Sequence, residues 1–351
     1  MALLLGAGAC ASDGGGSAGD AAADTTGTAS DGSEVDAATT TTAGERSIDP
    51  VPSAGCGTSA VVPAVEVERT LSVNDTQRRY LVTVPAAHDG ETPLPAVFDF
   101  HGLMEGAQVH AVMSAYSGLA DEEGFVVVFP HGTGEPLGWS INPSLQPNPD
   151  IEYFDAVLGQ VQAELCVDEA RIYATGLSMG AMFTSMLLCQ RADVLAAAAP
   201  VAGITDLEGC DPSRPVPIVT FHGTDDPILL FNGGVDLSMI PGTSEEDGGP
   251  ATTRPPADLD GAGYPANTAA FAERNGCDPE PTDTELTDEV VHRVYDCPAG
   301  ADVEFYIVLG GGHSWPGSEF SESIGGIVGA TTFDIDATRD AWAFLRRFSN
   351  P

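Results

Sequence analysis

An α/β domain, with a mostly parallel central sheet covered by helices on both faces, is predicted by three observations. From Cys56 onward, β-prone apolar runs alternate with helix-like segments, the pattern of strands joined by crossover helices. The run Phe125-Val126-Val127-Val128-Phe129 is apolar on both faces, as a covered parallel strand should be. Thr175-Gly176-Leu177-Ser178-Met179-Gly180 lies between a β-prone run (171–174) and a helix-prone run (181–188). A strand is therefore expected to turn sharply into a helix around Ser178, on a turn so tight that only glycine fits two residues to either side.

In chain order, residues 1–9 are short and apolar, and Ala7-Gly8-Ala9-Cys10 resembles the processing box of a bacterial lipoprotein, where the cysteine becomes the lipidated first residue. No basic residue precedes the run, and it is short for the apolar part of a signal, so it reads as a truncated signal-like segment. The plainer reading is an ordinary signal peptide in which Cys10 has no role. Either way the chain is expected to be secreted or at the cell surface, and lipidation of Cys10 would provide a single anchor without a span. Residues 10–55 are Gly, Ala, Ser, Thr and Asp with almost nothing large and apolar. They cannot bury enough surface to offset the entropy of ordering, so a flexible tether is expected there. Residues 56–351 suffice for one large core, with no linker inside.

Within that domain, residues 80–84 alternate like a strand, and residues 95–100 are a mostly apolar strand ending in His101-Gly102-Leu103. Residues 109–123 are helix-like, and residues 151–165 carry apolar side chains at helical spacing before the strand that leads to Ser178. Residues 216–221 and 303–308 read as further strands, and 337–348 as a closing amphipathic helix. Two segments interrupt the alternation: a polar, Pro/Asn-rich loop at 137–149 containing Trp139, and a Gly/Pro/acidic stretch at 232–266. The second is expected to be irregular, a solvated insertion near the site. Its acids lack the regular spacing of a calcium loop.

Acids outnumber bases by 52 to 13, and every base is arginine. The first 55 residues hold eight of those acids and one arginine, so the surplus belongs to the folded part. Such a field repels nucleic acid and anionic lipid headgroups. Setting Cys10 aside leaves six cysteines: Cys56, Cys166, Cys189, Cys210, Cys277 and Cys297. An even number in an exported chain points to disulfides, with Cys277–Cys297 the first pairing expected, since one loop-and-hairpin segment separates them. No Cys-x-x-Cys pair or His/Cys cluster has zinc spacing.

A serine hydroxyl needs a base within hydrogen-bond reach, and that base needs a carboxylate to fix its tautomer. In sheets of this kind the chain order is serine, acid, histidine, each on a loop after a strand. Here His222-Gly223-Thr224-Asp225-Asp226-Pro227 follows one strand and Gly310-Gly311-Gly312-His313-Ser314-Trp315-Pro316-Gly317 another. His313 is the candidate base. His88 and His292 lie in polar stretches expected to be exposed, His101, His110 and His131 precede Ser178, and His222 is on the acid loop itself. Spacing does not separate Asp225 from Asp226. Developing negative charge on the substrate needs two preorganised N–H donors: Met179, directly after the serine, supplies one, and Leu103 is the candidate for the other.

Phe98-Asp99-Phe100-His101-Gly102, Gly176-Leu177-Ser178-Met179-Gly180-Ala181-Met182, Ala198-Ala199-Pro200-Val201-Ala202-Gly203, His222-Gly223-Thr224-Asp225-Asp226-Pro227 and Gly311-Gly312-His313-Ser314-Trp315-Pro316-Gly317 occur in order. Together they resemble the polyhydroxybutyrate depolymerase and feruloyl esterase family of secreted α/β-hydrolases, from about Cys56 to Trp315. Ala272-Glu273-Arg274-Asn275-Gly276-Cys277 resembles the helix and cysteine before that family's last strands. The resemblance implies an α/β-hydrolase fold and a Ser178–His313–Asp226 esterase without metal or organic cofactor. It also implies oxyanion donors at Leu103 and Met179, with His101, Trp139 and Trp315 beside the substrate, a packing role being the alternative for each tryptophan. The implied partner is an extracellular ester, either a hydroxyalkanoate polyester or oligomer, or an aromatic ester of the plant wall. The alternatives are a serine peptidase of the same fold and a catalytically silent surface binding protein.

Overall fold

Ten strands form one sheet in the order β1-β2-β4-β3-β5-β6-β7-β10-β9-β8. A computed structural model describes residues 49–58, 60–236 and 255–351. The signal-like segment, Cys10, nearly all of the tether, and residues 237–254 of the acidic stretch lie outside the described residues.

The six central strands, β4 (Val126–Pro130), β3 (Leu94–Phe100), β5 (Val167–Leu177), β6 (Leu195–Val201), β7 (Ile218–Gly223) and β10 (Val303–Val308), run parallel. Antiparallel strands flank them: β2 (Thr76–Val84) with β1 (Ala64–Val73) on one side, β9 (Val290–Tyr295) with β8 (Thr282–Glu285) on the other. Between β3 and β5 the connections leave in opposite directions, which opens a crevice at their carboxyl ends where open α/β sheets place their sites.

Alternation along β3 explains how both faces are filled. Phe98 and Phe100 enter one core together with Phe154 of α3 (Pro149–Glu164) and Phe183 of α4 (Met179–Gln190). Val97 enters the other with α1 (Ala107–Ser114), α2 (Tyr116–Glu123) and α8 (Ala337–Leu345). Phe98, Phe100, Phe154 and Phe183 are fully buried, each contributing roughly 1.5–3 kcal/mol by removal from water. Helix α3 starts where the sequence allows it: the Asn148 side chain accepts from the N–H groups of Asp150 and Ile151, Pro149 occupies the first turn, and Asp150 and Glu152 face the positive end of the dipole.

Several elements differ from the expectations. The helix expected over 109–123 is two helices, broken at Ala115 with φ of 52°. The carbonyl of Ser114, freed at the break, accepts from Thr338 Oγ1, so a tertiary partner replaces the lost helical one. The run Leu195-Ala196-Ala197-Ala198-Ala199-Pro200-Val201, for which no element is expected from the sequence, forms β6 and is buried on both faces, although alanine favours helix intrinsically. Helix α5 (Tyr264–Arg274) begins inside the stretch expected to be irregular. The domain begins earlier than Cys56, because Val51 N–H donates to Asp168 Oδ1 and Ser53 Oγ donates to Leu165 O. His88 is buried and accepts from Cys166 N–H, and His292 pairs with Glu304. Neither is the exposed residue expected.

Cys277–Cys297 is bonded as expected, with Cys56–Cys166 and Cys189–Cys210 completing three disulfides. Most arginines are absorbed by carboxylates, for instance Arg78 by Asp150 and Arg293 by Asp260 and Asp283. Among the described residues no helix is long and apolar enough to cross a membrane.

Candidate active site

Ser178 caps α4 directly after β5 with φ 58° and ψ −119°, a strained conformation for a residue with a side chain. The glycines around it are explained by backbone approach. A Cβ on Gly176 would stand 2.5 Å from Phe100 O, and one on Gly180 only 1.9 Å from the same atom. β3 therefore passes directly under the turn, and Ser178 is left half-buried at the carboxyl end of the sheet with the positive end of α4 behind it.

The acid and base loops are likewise packed backbone to backbone: a Cβ on Gly223 would lie 2.2 Å from Gly311 O. Asp225 N–H donates to Gly311 O, tying the loop after β7 to the loop after β10. This brings His313 Nδ1 to 2.7 Å from Asp226 Oδ2, while Asp225 points out as an exposed residue. Geometry thus separates the two aspartates that spacing left open.

Asp226 is 1% exposed. Its Oδ1 accepts from the N–H groups of Ile228 and Leu229 at 2.8 Å each. His222 Nε2 lies 3.2 Å from Oδ2 and 2.9 Å from Leu229 O, both acceptors, so Nε2 carries the hydrogen. Burial alone would raise the Asp226 pKa, but His313 and the bond from His222 hold it below the ordinary carboxylate range. An ionised carboxylate only accepts, so Nδ1 of His313 carries the proton and Nε2 offers its lone pair. Ser178 Oγ and His313 share no hydrogen bond among the described residues.

The loop after β3 abuts the serine: a Cβ on Gly102 would stand 3.6 Å from Ser178 Cβ. Leu103 and Met179 converge on Gly138, where a Cβ would meet Met179 Sδ at 2.7 Å and Leu103 Cδ1 at 3.3 Å. Among the described residues neither the Leu103 nor the Met179 N–H has a hydrogen-bond partner, leaving two open donors beside the hydroxyl.

The three residues expected against the substrate are buried, with their polar atoms bonded within the protein. His101 is fully buried. Its Nε2 accepts from Gly132 N–H at 2.9 Å, so Nδ1 carries the hydrogen and donates to Gly102 O at 2.7 Å. Burial lowers its pKa to about 4, and the ring stays neutral. Trp139 is 4% exposed, donates to His101 O at 2.8 Å and stacks on Phe183. Trp315 is 1% exposed and donates to Thr338 Oγ1. All three are spent on holding loops, because their polar atoms are taken by protein partners. A cavity of about 580 Å³ bordered by Val112, Leu119, Trp315, Pro316, Phe320 and Arg339 lies beside the histidine loop and includes none of Ser178, Asp226 and His313.

A second charged cluster sits behind the β3 loop. Asp99 and His110 are fully buried, with Asp99 Oδ1 2.7 Å from His110 Nε2. Glu105 Oε1 is 3.1 Å from His110 Nδ1, and Glu105 Oε2 accepts from Gly102 N–H at 2.6 Å. Burial would lower the His110 pKa, but the carboxylates on either side raise it to about 10. Burial pushes Glu105 up, and His110 with the Gly102 bond brings it below its ordinary value. From the sequence alone, Asp99 and Glu105 carry no assigned role and His110 is set aside because it precedes Ser178. The available signal was Asp99, an acid inside an apolar strand, since a buried charge must be paired.

The sheet order, the strained turn after β5 and the acid–histidine pair after β7 and β10 define an α/β-hydrolase fold. The sequence pattern of the prolyl oligopeptidase family matches residues 110–220, which contain Ser178 but neither Asp226 nor His313. The chain is 31% identical over 245 residues to feruloyl esterase B of Piromyces equi, covering 68% of this chain and 42% of that protein. It is 30% identical over 165 residues to a probable feruloyl esterase C of Aspergillus niger, covering 46% and 59%. It thus spans less than two thirds of either relative's length. Among solved structures, acetyl xylan esterase from Aspergillus awamori superposes with a TM-score of 0.50 at 14% identity, covering 71% of this chain and 94% of that one, a likeness of fold.

Proposed function

We propose that this protein is a serine carboxylic-ester hydrolase, and the observation that carries the reading is the 2.7 Å contact between His313 Nδ1 and Asp226, on loops at the same sheet edge as the strained Ser178. Ser178 Oγ attacks the ester carbonyl carbon while its proton passes to His313 Nε2. The Leu103 and Met179 N–H groups receive the developing oxyanion, each such donor supplying roughly 2.7–4 kcal/mol of transition-state stabilisation. Collapse breaks the ester C–O bond, and His313 returns the proton to the departing alcohol. Water, deprotonated by the same nitrogen, then releases the acid and regenerates Ser178. Asp226 orients His313 and stabilises its charged form throughout. The Ser178–His313 hydrogen bond forms in the complex with substrate, as such bonds tighten on binding.

The feruloyl esterases among the relatives favour aromatic esters over hydroxyalkanoate oligomers. The three disulfides support an oxidising, extracytoplasmic compartment, and lipidation at Cys10 would hold the domain at a membrane face. The test is product release from methyl ferulate and from 3-hydroxybutyrate oligomers, with Ser178→Ala as the blank. Ferulate alone supports the reading, and hydroxybutyrate alone moves the substrate to polyesters. The match of residues 110–220 to the prolyl oligopeptidase family supports a peptidase as the second reading, so a proline-containing peptide amide is the third substrate. Hydrolysis of the amide alone would refute the esterase, and no Ser178-dependent product from any of the three would leave a binding protein.

A further inference from the structure

We propose that His110, held between Asp99 and Glu105, is a positioning residue that aims the Leu103 N–H by clamping the peptide groups on either side of Gly102. This rests on the reading of Leu103 as an oxyanion donor. In the His101–Gly102 peptide, the carbonyl accepts from Trp139 Nε1 at 2.8 Å and the N–H donates to Glu105 Oε2 at 2.6 Å. In the Gly102–Leu103 peptide, the carbonyl accepts from His101 Nδ1 at 2.7 Å. The next N–H, of Met104, donates to Leu137 O at 2.8 Å. The Leu103 N–H is the one group left over in these two peptides. In a planar trans peptide it must point opposite to the carbonyl that His101 holds, so its direction is set by bonds the substrate never touches.

Two of these partners, His101 and Glu105, belong to the loop itself; His101 is held by Gly132 N–H, and Glu105 would drift without support of its own. Helix α1 supplies that support. His110 donates from Nδ1 to Glu105 and from Nε2 to Asp99 on β3, which references the loop to the central sheet. The chain of contacts runs Asp99, His110, Glu105, Gly102 N–H, and every member but Gly102 is a charged group shielded from water, where such bonds are strong. Its charge also has a role: an imidazolium keeps Glu105 an acceptor on both oxygens, as the bond from Gly102 requires.

An oxyanion donor acts on the transition state and not on the bound ester, so a misaimed Leu103 should lower kcat and leave KM alone. In the full chain acting on methyl ferulate, Glu105→Ala is expected to lower kcat about 10–100-fold with KM within about twofold, less than the loss of a whole donor. Glu105→Gln restores an acceptor for Gly102 N–H, and its amide can donate to a neutral His110, so most of kcat should return. Amide exchange at Gly102 is the second readout: protected in the parent and in Glu105→Gln, and at least about tenfold faster in Glu105→Ala. A folded Glu105→Ala with kcat within threefold of the parent would overturn the proposal, as would a matching rise in KM or a Gln variant no better than Ala. If the parent shows no Ser178-dependent hydrolysis, the esterase reading fails by itself. Gly102 exchange then decides the clamp, and unchanged protection in Glu105→Ala overturns it.

Discussion

Stability should pass through a maximum near pH 6.5, because two buried histidines of the β3 loop titrate in opposite senses. In the unfolded chain both have pKa values near 6.5. Folding raises His110 to about 10 and lowers His101 to about 4. Between about pH 6.5 and 10 the folded chain keeps a proton on His110 that the unfolded chain has lost. The stabilisation is complete below pH 6.5 and is lost as pH rises toward 10, at about 1.4 kcal/mol per pH unit. Between about pH 6.5 and 4 the unfolded chain protonates His101 while the folded chain does not, so stability is lost as pH falls. His88 and His131 are lowered too, mainly by burial, which steepens the acid limb. The alkaline limb is unusually clean, since the chain has no lysine and its buried tyrosines, such as Tyr153 and Tyr264, are raised by burial and matter only above about pH 10. Urea unfolding followed by tryptophan fluorescence at constant ionic strength should show a fall of about 2–3 kcal/mol from pH 7 to 9. His110→Gln should flatten that limb and keep the acid one. A parent chain equally stable at pH 7 and 9 would refute the charged, carboxylate-held His110.

Two further outcomes are expected. Asp226→Asn leaves the shape but cannot fix the His313 tautomer, and should lower kcat about 10⁴-fold with little change in KM, measured on methyl ferulate. Replacing Cys56 and Cys166 together by serine opens a cross-link with a sequence separation of 110 residues, and should cost about 4–5 kcal/mol in the chain-entropy account, read as a lower urea midpoint.

What the sequence determined by itself was everything that depends on local sterics or on the order of residues along the chain. The turn at Ser178 was legible because glycines two residues to either side mark a backbone that cannot carry side chains. The placing of Asp226 and His313 followed from loops after apolar strands, and α3 was legible from its apolar spacing. The parallel sheet could be read from Phe125-Val126-Val127-Val128-Phe129, since a run apolar on both faces has to be covered on both.

Only the tertiary structure decided which side chains meet. It chose Asp226 over Asp225, where the resemblance had done so without a physical reason, by burying one beside His313 and exposing the other. It turned the alanines of β6 into strand, because a slot between β5 and β7 outweighs a propensity worth tenths of a kcal/mol per residue. It broke a helix at Ala115 because Thr338, more than two hundred residues away, takes the freed carbonyl. It buried His101, Trp139 and Trp315 and bonded their polar atoms to the surrounding loops, since nothing local tells whether a polar side chain near a site is wet or bonded. The Asp99–His110–Glu105 cluster was hidden for the same reason: its energy lies in contacts between β3, a turn and α1, and such contacts exist only once the chain has folded.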